Sequence, residues 1–197
     1  MSPVADAPWM SEAVDALALE LRLHHAPTAD HSHRLASLAR DVADRLGLGP
    51  IEATECELVA VLHDVGKLTI DPELLDWEGP LDDQQRARLR LHTIAGEELL
   101  AEVAGLEHLA GVVRATHEAW DGNGYPDGLS GDSIPLTARI VAAVDSFDAM
   151  TSDRAYRRAL PRREACRRMG DGAGTQFDPH VVDALLRAVG YGPLRRS

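Results

Sequence analysis

Apolar residues recur along the chain at the three- and four-residue spacing of amphipathic helices. Near the N-terminus, Val14, Leu17, Ala18 and Leu21 form one apolar stripe, which predicts a helix that starts near Ser11. No segment has a convincing strand pattern. The sequence therefore predicts an all-α fold in the form of a single helical bundle.

Prolines, glycines and capping residues divide this pattern into further helices. Pro27 is expected to break the first helix, and Gly47 and Gly49 are expected to end the second. Asp82 is a candidate N-cap, and Asp178 and Pro179 are a candidate N-cap and first helical position. After the first helix, we predict helices over about residues 30–46, 50–67, a short piece from 71, 82–103, 106–119, 135–150 and 161–169, with a last one from 178.

The composition fits a helical domain of ordinary size. The 197 residues are 45% hydrophobic and only 4% aromatic, and alanine and leucine dominate the apolar set. We expect a lead-in and a helix in residues 1–24, followed by one domain in residues 25–197. Cys56 and Cys166 are expected to be reduced thiols, because two cysteines do not make a disulfide framework.

The charge balance restricts the classes of partner. A formal net charge of -12 disfavours general binding to DNA, RNA or anionic membranes. Arginines cluster between Arg154 and Arg168, so a local anion site is compatible with the overall charge. The N-terminus lacks the pattern of a signal peptide, and the apolar runs are too short to span a bilayer. We therefore expect a cytoplasmic protein that does not bind membranes.

An adjacent histidine and aspartate, His63 and Asp64, give the first indication of chemistry. The pair offers a metal ion one neutral nitrogen and one anionic oxygen, and a carboxylate can bridge the paired cations that phosphoester hydrolysis commonly uses. Lys67 follows one helical turn later and is the only lysine in the sequence. Its compact ammonium suits a phosphate oxygen beside a metal better than a planar guanidinium does.

The segment from Asp121 to Pro135 contains four glycines and two prolines, which predicts a loop. Its length suggests a function beyond connecting two helices. Tyr125 in this loop can stack on a nucleobase or donate its hydroxyl to a phosphate. The composition alone favours a solvated turn in which the tyrosine packs over the core.

Ordered motifs in the chain resemble those of the HD-GYP family, a branch of the HD phosphohydrolases that is associated with cyclic di-GMP breakdown. The two central motifs run from Leu58 to Ile70 (LVAVLHDVGKLTI) and from Asp121 to Pro126 (DGNGYP). An HD dipeptide alone is weak evidence, and the ordered series makes the resemblance specific. Matching blocks also lie at His31 to Ala36, Arg90 to Gly96, Ile134 to Ala149, Thr151 to Arg157 and Gln176 to Pro179.

The resemblance implies an HD domain in which the segment from Asp121 to Pro135 is a long loop, called the GYP loop. It also implies a site for two divalent metal ions, with iron or manganese expected. Asp64 and Lys67 would carry the catalytic function. Asp148 is expected to orient a metal ligand. The implied ligands are His31, His63, Asp64 and Asp145 for the first ion, with Asp64 bridging to a second ion that His92 and His117 complete.

Thr116 departs from the family pattern, which has two consecutive histidines before the position of Glu118. A threonine hydroxyl is a poor ligand for iron or zinc. Either His117 serves alone, or the second ion binds weakly, or Glu118 or water fills the place. Pro27 stands where a third metal would require a carboxylate, so we expect two ions at most.

The resemblance further implies a phosphodiesterase that hydrolyses cyclic di-GMP to pGpG, GMP or both. Two alternatives stay open: a degenerate module that binds a nucleotide or a protein partner without turnover, and a phosphohydrolase of another nucleotide. The GYP loop is also a candidate contact for a protein partner, and a homodimer through the N-terminal helices is a further hypothesis. The expected substrate contacts are Lys67, Tyr125, Arg154 and Arg157.

Overall fold

Helices make up most of the chain in a computed structural model, which describes residues 8–153 and 158–192, with side chains from residue 12 onward. These ranges contain no β-strand, and the all-α prediction is confirmed. Three short 3-10 segments cover Val65–Thr69, Ala115–His117 and Gly131–Ser133. The α-helices are α1 (Pro8–His24), α2 (Ala26–Arg45), α3 (Pro50–Leu62), α4 (Pro72–Leu75), α5 (Asp83–Arg90), α6 (His92–Ala101), α7 (Glu107–Arg114), α8 (Leu136–Thr151), α9 (Arg162–Asp171) and α10 (Pro179–Ala188).

Side-chain caps explain where several of these helices begin. Asp82 accepts a hydrogen bond from the Gln85 backbone N–H at 2.7 Å, and the Gln85 side chain accepts one from the Asp82 N–H at 2.9 Å. This reciprocal capping box satisfies two backbone donors at the start of α5. Asp178 caps α10 by accepting from the His180 N–H at 2.8 Å. Both caps agree with the positions that the sequence indicated.

The sequence misplaced several helix boundaries. Helix α1 begins at Pro8 rather than near Ser11, and the helix predicted over 50–67 ends at Leu62, so that Lys67 lies in the separate 3-10 segment Val65–Thr69. Helix α2 begins at Ala26 rather than near residue 30, because Pro27 lies in its first turn, where a missing N–H costs no hydrogen bond. The helix predicted over 82–103 is two helices, α5 and α6, which meet at Leu91. The helix predicted over 106–119 ends at Arg114 and continues as a 3-10 turn that carries His117.

One hydrophobic core joins α1, α2, α3, α8 and α10. Leu35, Val59, Val144 and Leu185 have no exposed surface, and burial of such a side chain contributes about 1.5–3 kcal/mol. Val14 of α1 belongs to the same cluster. The core fixes α2 beside α3 and α8, and the polar residues of these helices meet at its edge. No helix within the described ranges is long and apolar enough to cross a membrane.

Candidate metal centre and substrate cavity

Three elements bring a first group of potential ligands together. His31 comes from α2, His63 follows the last residue of α3, and Asp145 lies in α8. One nitrogen or oxygen of each lies within 4.8 Å of the others. His31 Nε2 is 2.7 Å from Asp145 Oδ1. The spacing suits a single metal ion held by imidazole and carboxylate.

A second group consists of Asp64, His92 and His117, whose ligand atoms also lie within 4.8 Å of one another. His92 is the first residue of α6, and His117 ends the 3-10 turn after α7. The imidazole rings of His92 and His117 have centroids 4.9 Å apart. The structure therefore gathers all six residues that the sequence nominated as ligands, from both sides of the bundle.

Asp64 joins the two groups. Its Oδ2 lies 3.3 Å from His63 Nε2, and its Oδ1 lies 3.4 Å from His92 Nε2. Oδ2 also accepts a hydrogen bond from the Lys67 ammonium at 2.6 Å. Each oxygen of this carboxylate thus faces a different group, which is the arrangement that a bridging ligand needs.

The glycine after this segment makes its position possible. A Cβ on Gly66 would lie 1.9 Å from the carbonyl oxygen of His92 and 2.5 Å from the backbone nitrogen of Gly96. The 3-10 turn Val65–Thr69 therefore rests directly on the backbone of α6. This close approach holds Asp64 and Lys67 against His92.

Hydrogen bonds to the far ring nitrogens orient the imidazoles. Nδ1 of His63 donates to the Ala60 carbonyl at 2.8 Å, and Nδ1 of His92 donates to the Leu89 carbonyl at 2.6 Å. Since a carbonyl can only accept, these bonds leave Nε2 unprotonated in the neutral ring and available to a metal.

His31 is oriented by a carboxylate instead. Its Nδ1 is 2.7 Å from Oδ2 of Asp148, which also accepts from Arg34 Nη2 at 3.2 Å. Asp148 therefore contacts the back of a candidate ligand ring and does not belong to either ligand group, which fits the orienting role expected for it.

Three buried polar atoms at the centre have no hydrogen-bond partner among the described residues: Asp64 Oδ1, His92 Nε2 and His117 Nε2. Leaving one such atom unsatisfied costs about 1–3 kcal/mol. All three belong to the second group and lack a donor. A divalent cation would satisfy them together, so the residues present fit a metal ion at this point.

The electrostatics of the cluster favour a cation as well. Burial lowers the pKa of His117 to about 3 and also lowers the pKa of His92, so both rings are neutral ligands near pH 7. Although burial alone would raise it, His63 and Lys67 hold the pKa of Asp64 well below its usual range. Burial opposes protonation of His31, but its hydrogen bonds with Asp145 and Asp148 raise its pKa to about 9. The ionised carboxylates thus favour positive charge here. Without a metal, a proton on His31 supplies part of it, and an ion bound by that ring would displace this proton.

Thr116 takes no part in the ligand groups. Its side chain is buried, and its hydroxyl donates to the Val113 carbonyl at 2.8 Å. Glu118 belongs to neither group: its Oε1 accepts from the backbone N–H groups of Asp127 and Gly128 at 2.7 and 3.0 Å, and its buried Oε2 has no hydrogen-bond partner among the described residues. His117 is therefore the candidate ligand of this segment, and weak binding or a water ligand at the second ion stay open alternatives.

The GYP loop lies over the second group and is tied down at several points. The Tyr125 ring stacks on His117, with a centroid distance of 5.2 Å and an interplanar angle of 4°. The Arg90 guanidinium carbon lies 4.8 Å from the centroid of the same ring. Arg114 binds the Asp127 carboxylate through two nitrogens, at 2.6 and 2.8 Å. Tyr125 therefore contacts His117 and Arg90, and its contact with a base or a phosphate stays a prediction.

Two cavities flank the cluster, and His117 and Asp145 line both. The larger has a volume of about 750 Å³ and is also lined by His31, Asp64 and Lys67. The smaller, of about 410 Å³, lies on the side of Tyr125 and Arg90. The candidate ligands can therefore be reached from a space of ligand-binding size.

Sequence reasoning missed some of the residues around these cavities. Trp77 lines the larger cavity, and Arg114 anchors the loop, but neither belongs to a motif that was recognised. The only sequence signal for Trp77 was a large aromatic residue between a short helix and a Gly-Pro pair. Arg154 and Arg157, the other expected substrate contacts, lie outside the described residues.

Comparison with known proteins places the chain in a family. The family model described as HD domain matches residues 15–181. The chain is 38% identical over 178 residues to the cyclic di-GMP phosphodiesterase response regulator RpfG of Xanthomonas campestris pv. campestris, covering 89% of this chain and 47% of that protein. It is 35% identical over 166 residues to the 3′3′-cGAMP-specific phosphodiesterase 3 of Vibrio cholerae, covering 84% of this chain and 36% of that protein.

A solved structure agrees with the fold. The cyclic GMP-AMP specific phosphodiesterase V-cGAP3 of V. cholerae superposes with a TM-score of 0.70 at 19% identity, covering 91% of this chain and 48% of that one. The chain belongs to the HD domain family, and its resemblance to the HD-GYP branch is confirmed by these relatives. It spans less than half the length of the curated relatives that it matches.

Proposed function

We propose that the chain is a metal-dependent phosphodiesterase domain that hydrolyses cyclic di-GMP to pGpG, GMP or both. The observation that carries the proposal is the pair of ligand groups that share Asp64 beside Lys67, at the wall of a cavity of about 750 Å³. A cavity of this volume accommodates a ligand of the size of a cyclic dinucleotide. Relatives named as phosphodiesterases of cyclic di-GMP and of 3′3′-cGAMP support the reaction class.

In this proposal, Asp64 belongs to both ion sites and the five other ligands divide between them. Divalent ions, when bound, lower the pKa of a water molecule and neutralise charge on phosphoryl oxygens. The imidazole and carboxylate donors suit iron or manganese, and the resemblance favours these two. The residues that would hold the ions are His31, His63 and Asp145 for one, His92 and His117 for the other, with Asp64 between them.

The chain's own groups would position the substrate around these ions. Lys67 presents its ammonium to the cavity from a fixed place, because Asp64 holds it at 2.6 Å. A point charge there stabilises the negative charge that develops on a phosphoryl oxygen. Asp148 and the backbone carbonyls hold the rings of the ligand histidines, so little reorganisation is needed when the substrate binds.

A hybrid cyclic dinucleotide is the second candidate substrate. The relatives include proteins named as specific for 3′3′-cGAMP at identities close to those of the cyclic di-GMP enzymes. The two substrates differ in one base, so the phosphate-directed residues described above do not distinguish them. The partner contact through the GYP loop, the homodimer and the cytoplasmic location stay predictions.

The test combines metal content with turnover. Protein purified without oxygen and loaded with iron or manganese should contain about two equivalents of metal and convert cyclic di-GMP to linear product, as followed by chromatography. Asp64→Asn should lower both quantities, because it removes charge from a ligand common to both groups. Loaded wild type that leaves cyclic di-GMP and 3′3′-cGAMP intact, beside an active control enzyme, would overturn the proposal. Intact binding without turnover would favour the binding-module alternative.

A further inference from the structure

One aromatic side chain lines the larger cavity and has no role in the proposed reaction. Trp77 is the only Phe, Tyr or Trp among the described residues that line it, and it shares that cavity with Lys67 and Asp64. Its exposed fraction is 51%. With aromatic residues making up only 4% of the sequence, a half-exposed indole at this place calls for an explanation.

A side-chain contact ties the segment that carries Trp77 to α2. The preceding residue, Asp76, lies with its Oδ1 3.1 Å from His25 Nε2. His25 is the N-cap of α2, and its Nδ1 accepts from the Thr28 N–H at 3.3 Å. Since α2 also carries His31, the contact between His25 and Asp76 links the segment of Trp77 to the helix of a candidate ligand.

Gly79 lies close to the indole ring of Trp77. A Cβ at this position would lie 2.9 Å from Trp77 Nε1 and 3.2 Å from Cε2. The absence of a side chain on Gly79 therefore lets its backbone pack against the ring. The indole is held on this side while half of its surface stays accessible.

The chemistry of the cavity indicates what the open surface of the ring would bind. Lys67 and the ions proposed at the cluster would attract a phosphate, and a cyclic dinucleotide carries a base close to each of its phosphates. Base stacking on aromatic side chains is a general mode of nucleotide recognition because every base has a π-face. Tyr125 is the other candidate platform, but its ring already contacts His117 and Arg90.

We propose that Trp77 is a base-stacking residue that determines affinity for the nucleobase of the dinucleotide whose phosphate lies at Lys67. This inference rests on the proposed function for the identity of the ligand. It assigns to Trp77 a contact with the substrate, and to Gly79 the role of a positioning residue that acts through the indole.

Steady-state kinetics test the assignment. Trp77→Ala should raise KM for cyclic di-GMP about 10-fold, which corresponds to about 1.4 kcal/mol and lies within the range for base–aromatic stacking. Trp77→Phe keeps a ring and should recover most of the loss, whereas kcat and metal content should stay near wild type in both. Tyr191→Ala is the matched control, because Tyr191 is similarly exposed at 45% and lines neither cavity. A KM for Trp77→Ala within twofold of wild type would overturn the inference.

Fluorescence separates this inference from the proposed function, because it needs no turnover. With manganese-loaded wild type, a hydrolysis-resistant phosphorothioate analogue of cyclic di-GMP should quench tryptophan emission in a saturable way, and no quench in wild type would also overturn the inference. The quench should be lost in the Trp77→Phe variant and kept in Trp120→Phe. Gly79→Ala should weaken it, since the added methyl displaces the indole. A quench that persists without Trp77 rules out the stacking role, even if the protein hydrolyses the substrate; a quench that requires Trp77 supports the role, even if turnover fails.

Discussion

Gly66→Ala is expected to disable the metal centre although it changes no ligand. The added Cβ would lie 1.9 Å from the His92 carbonyl oxygen and 2.5 Å from the Gly96 nitrogen, and both neighbours are backbone atoms. Neither can rotate away as a flexible side chain would. The 3-10 turn Val65–Thr69 and helix α6 must therefore move apart, which separates Asp64 from His92.

The size of the effect follows from the overlap. Non-bonded atoms in contact lie about 3.5–4.0 Å apart, so relief requires a displacement of more than about 1 Å. A misplacement of about 1 Å in a catalytic constellation costs on the order of 100-fold in rate. Overpacking also costs about 1–3 kcal/mol of stability or somewhat more. We expect kcat for cyclic di-GMP to fall at least about 100-fold and the second equivalent of metal to be lost.

The assay pairs metal analysis and turnover with thermal denaturation. Gly111→Ala is the matched control, because Gly111 lies in α7 with nothing within 4 Å of the added methyl. That change should leave activity intact and stabilise the protein by about 0.5–1 kcal/mol through the unfolded state. If Gly66→Ala folded with two equivalents of metal and wild-type kcat, the close packing of these two backbones would not be what positions Asp64.

Three further predictions concern stability and reactivity. Glu118→Ala removes the acceptor of two backbone N–H groups of the GYP loop and should lower the free energy of unfolding by about 1.5–3 kcal/mol in urea titrations, whereas an unchanged midpoint would mean that the loop is held elsewhere. Arg139→Ala leaves the buried carboxylate of Asp178 without its partner at 2.7 Å and should cost about 3 kcal/mol; a loss below about 1 kcal/mol would contradict this. Burial raises the pKa of the Cys56 thiol to about 11, and the thiolate is the reactive form, so a thiol reagent at pH 8 should label Cys56 and the equally buried Cys166 only after unfolding.

The sequence predicted those features that depend on local pattern. Helical periodicity indicated the all-α fold, and capping residues such as Asp82 and Asp178 marked helix starts that the structure has. Boundaries failed where one helix follows another without a proline or glycine between them, as at Leu91 between α5 and α6. Pro27 misled because a proline is unfavourable inside a helix and favourable in its first turn, and periodicity did not separate these cases.

The candidate ligands could be predicted from the ordered motifs, because the residues of those motifs face one cavity. Contacts that join distant segments could not be foreseen in the same way. Gly66 and Gly111 are both glycines in helical segments, yet one touches a neighbouring backbone and the other touches nothing. Likewise, the position of Trp77 depends on the contact between Asp76 and His25, which are 51 residues apart in sequence.

The solitary lysine gives this chain an unusual chemical property. Lys67 carries the only ε-amine in the sequence, and that amine lies in the wall of the larger cavity with its side chain 25% exposed. Amine-reactive reagents would therefore modify the side chain of Lys67 and no other lysine side chain. No mutagenesis is needed to remove competing lysines. The extent of that labelling can serve as a footprint of cavity occupancy. Enzymatic acylation of lysine likewise has no target on the outer surface and could act only by entering the cavity.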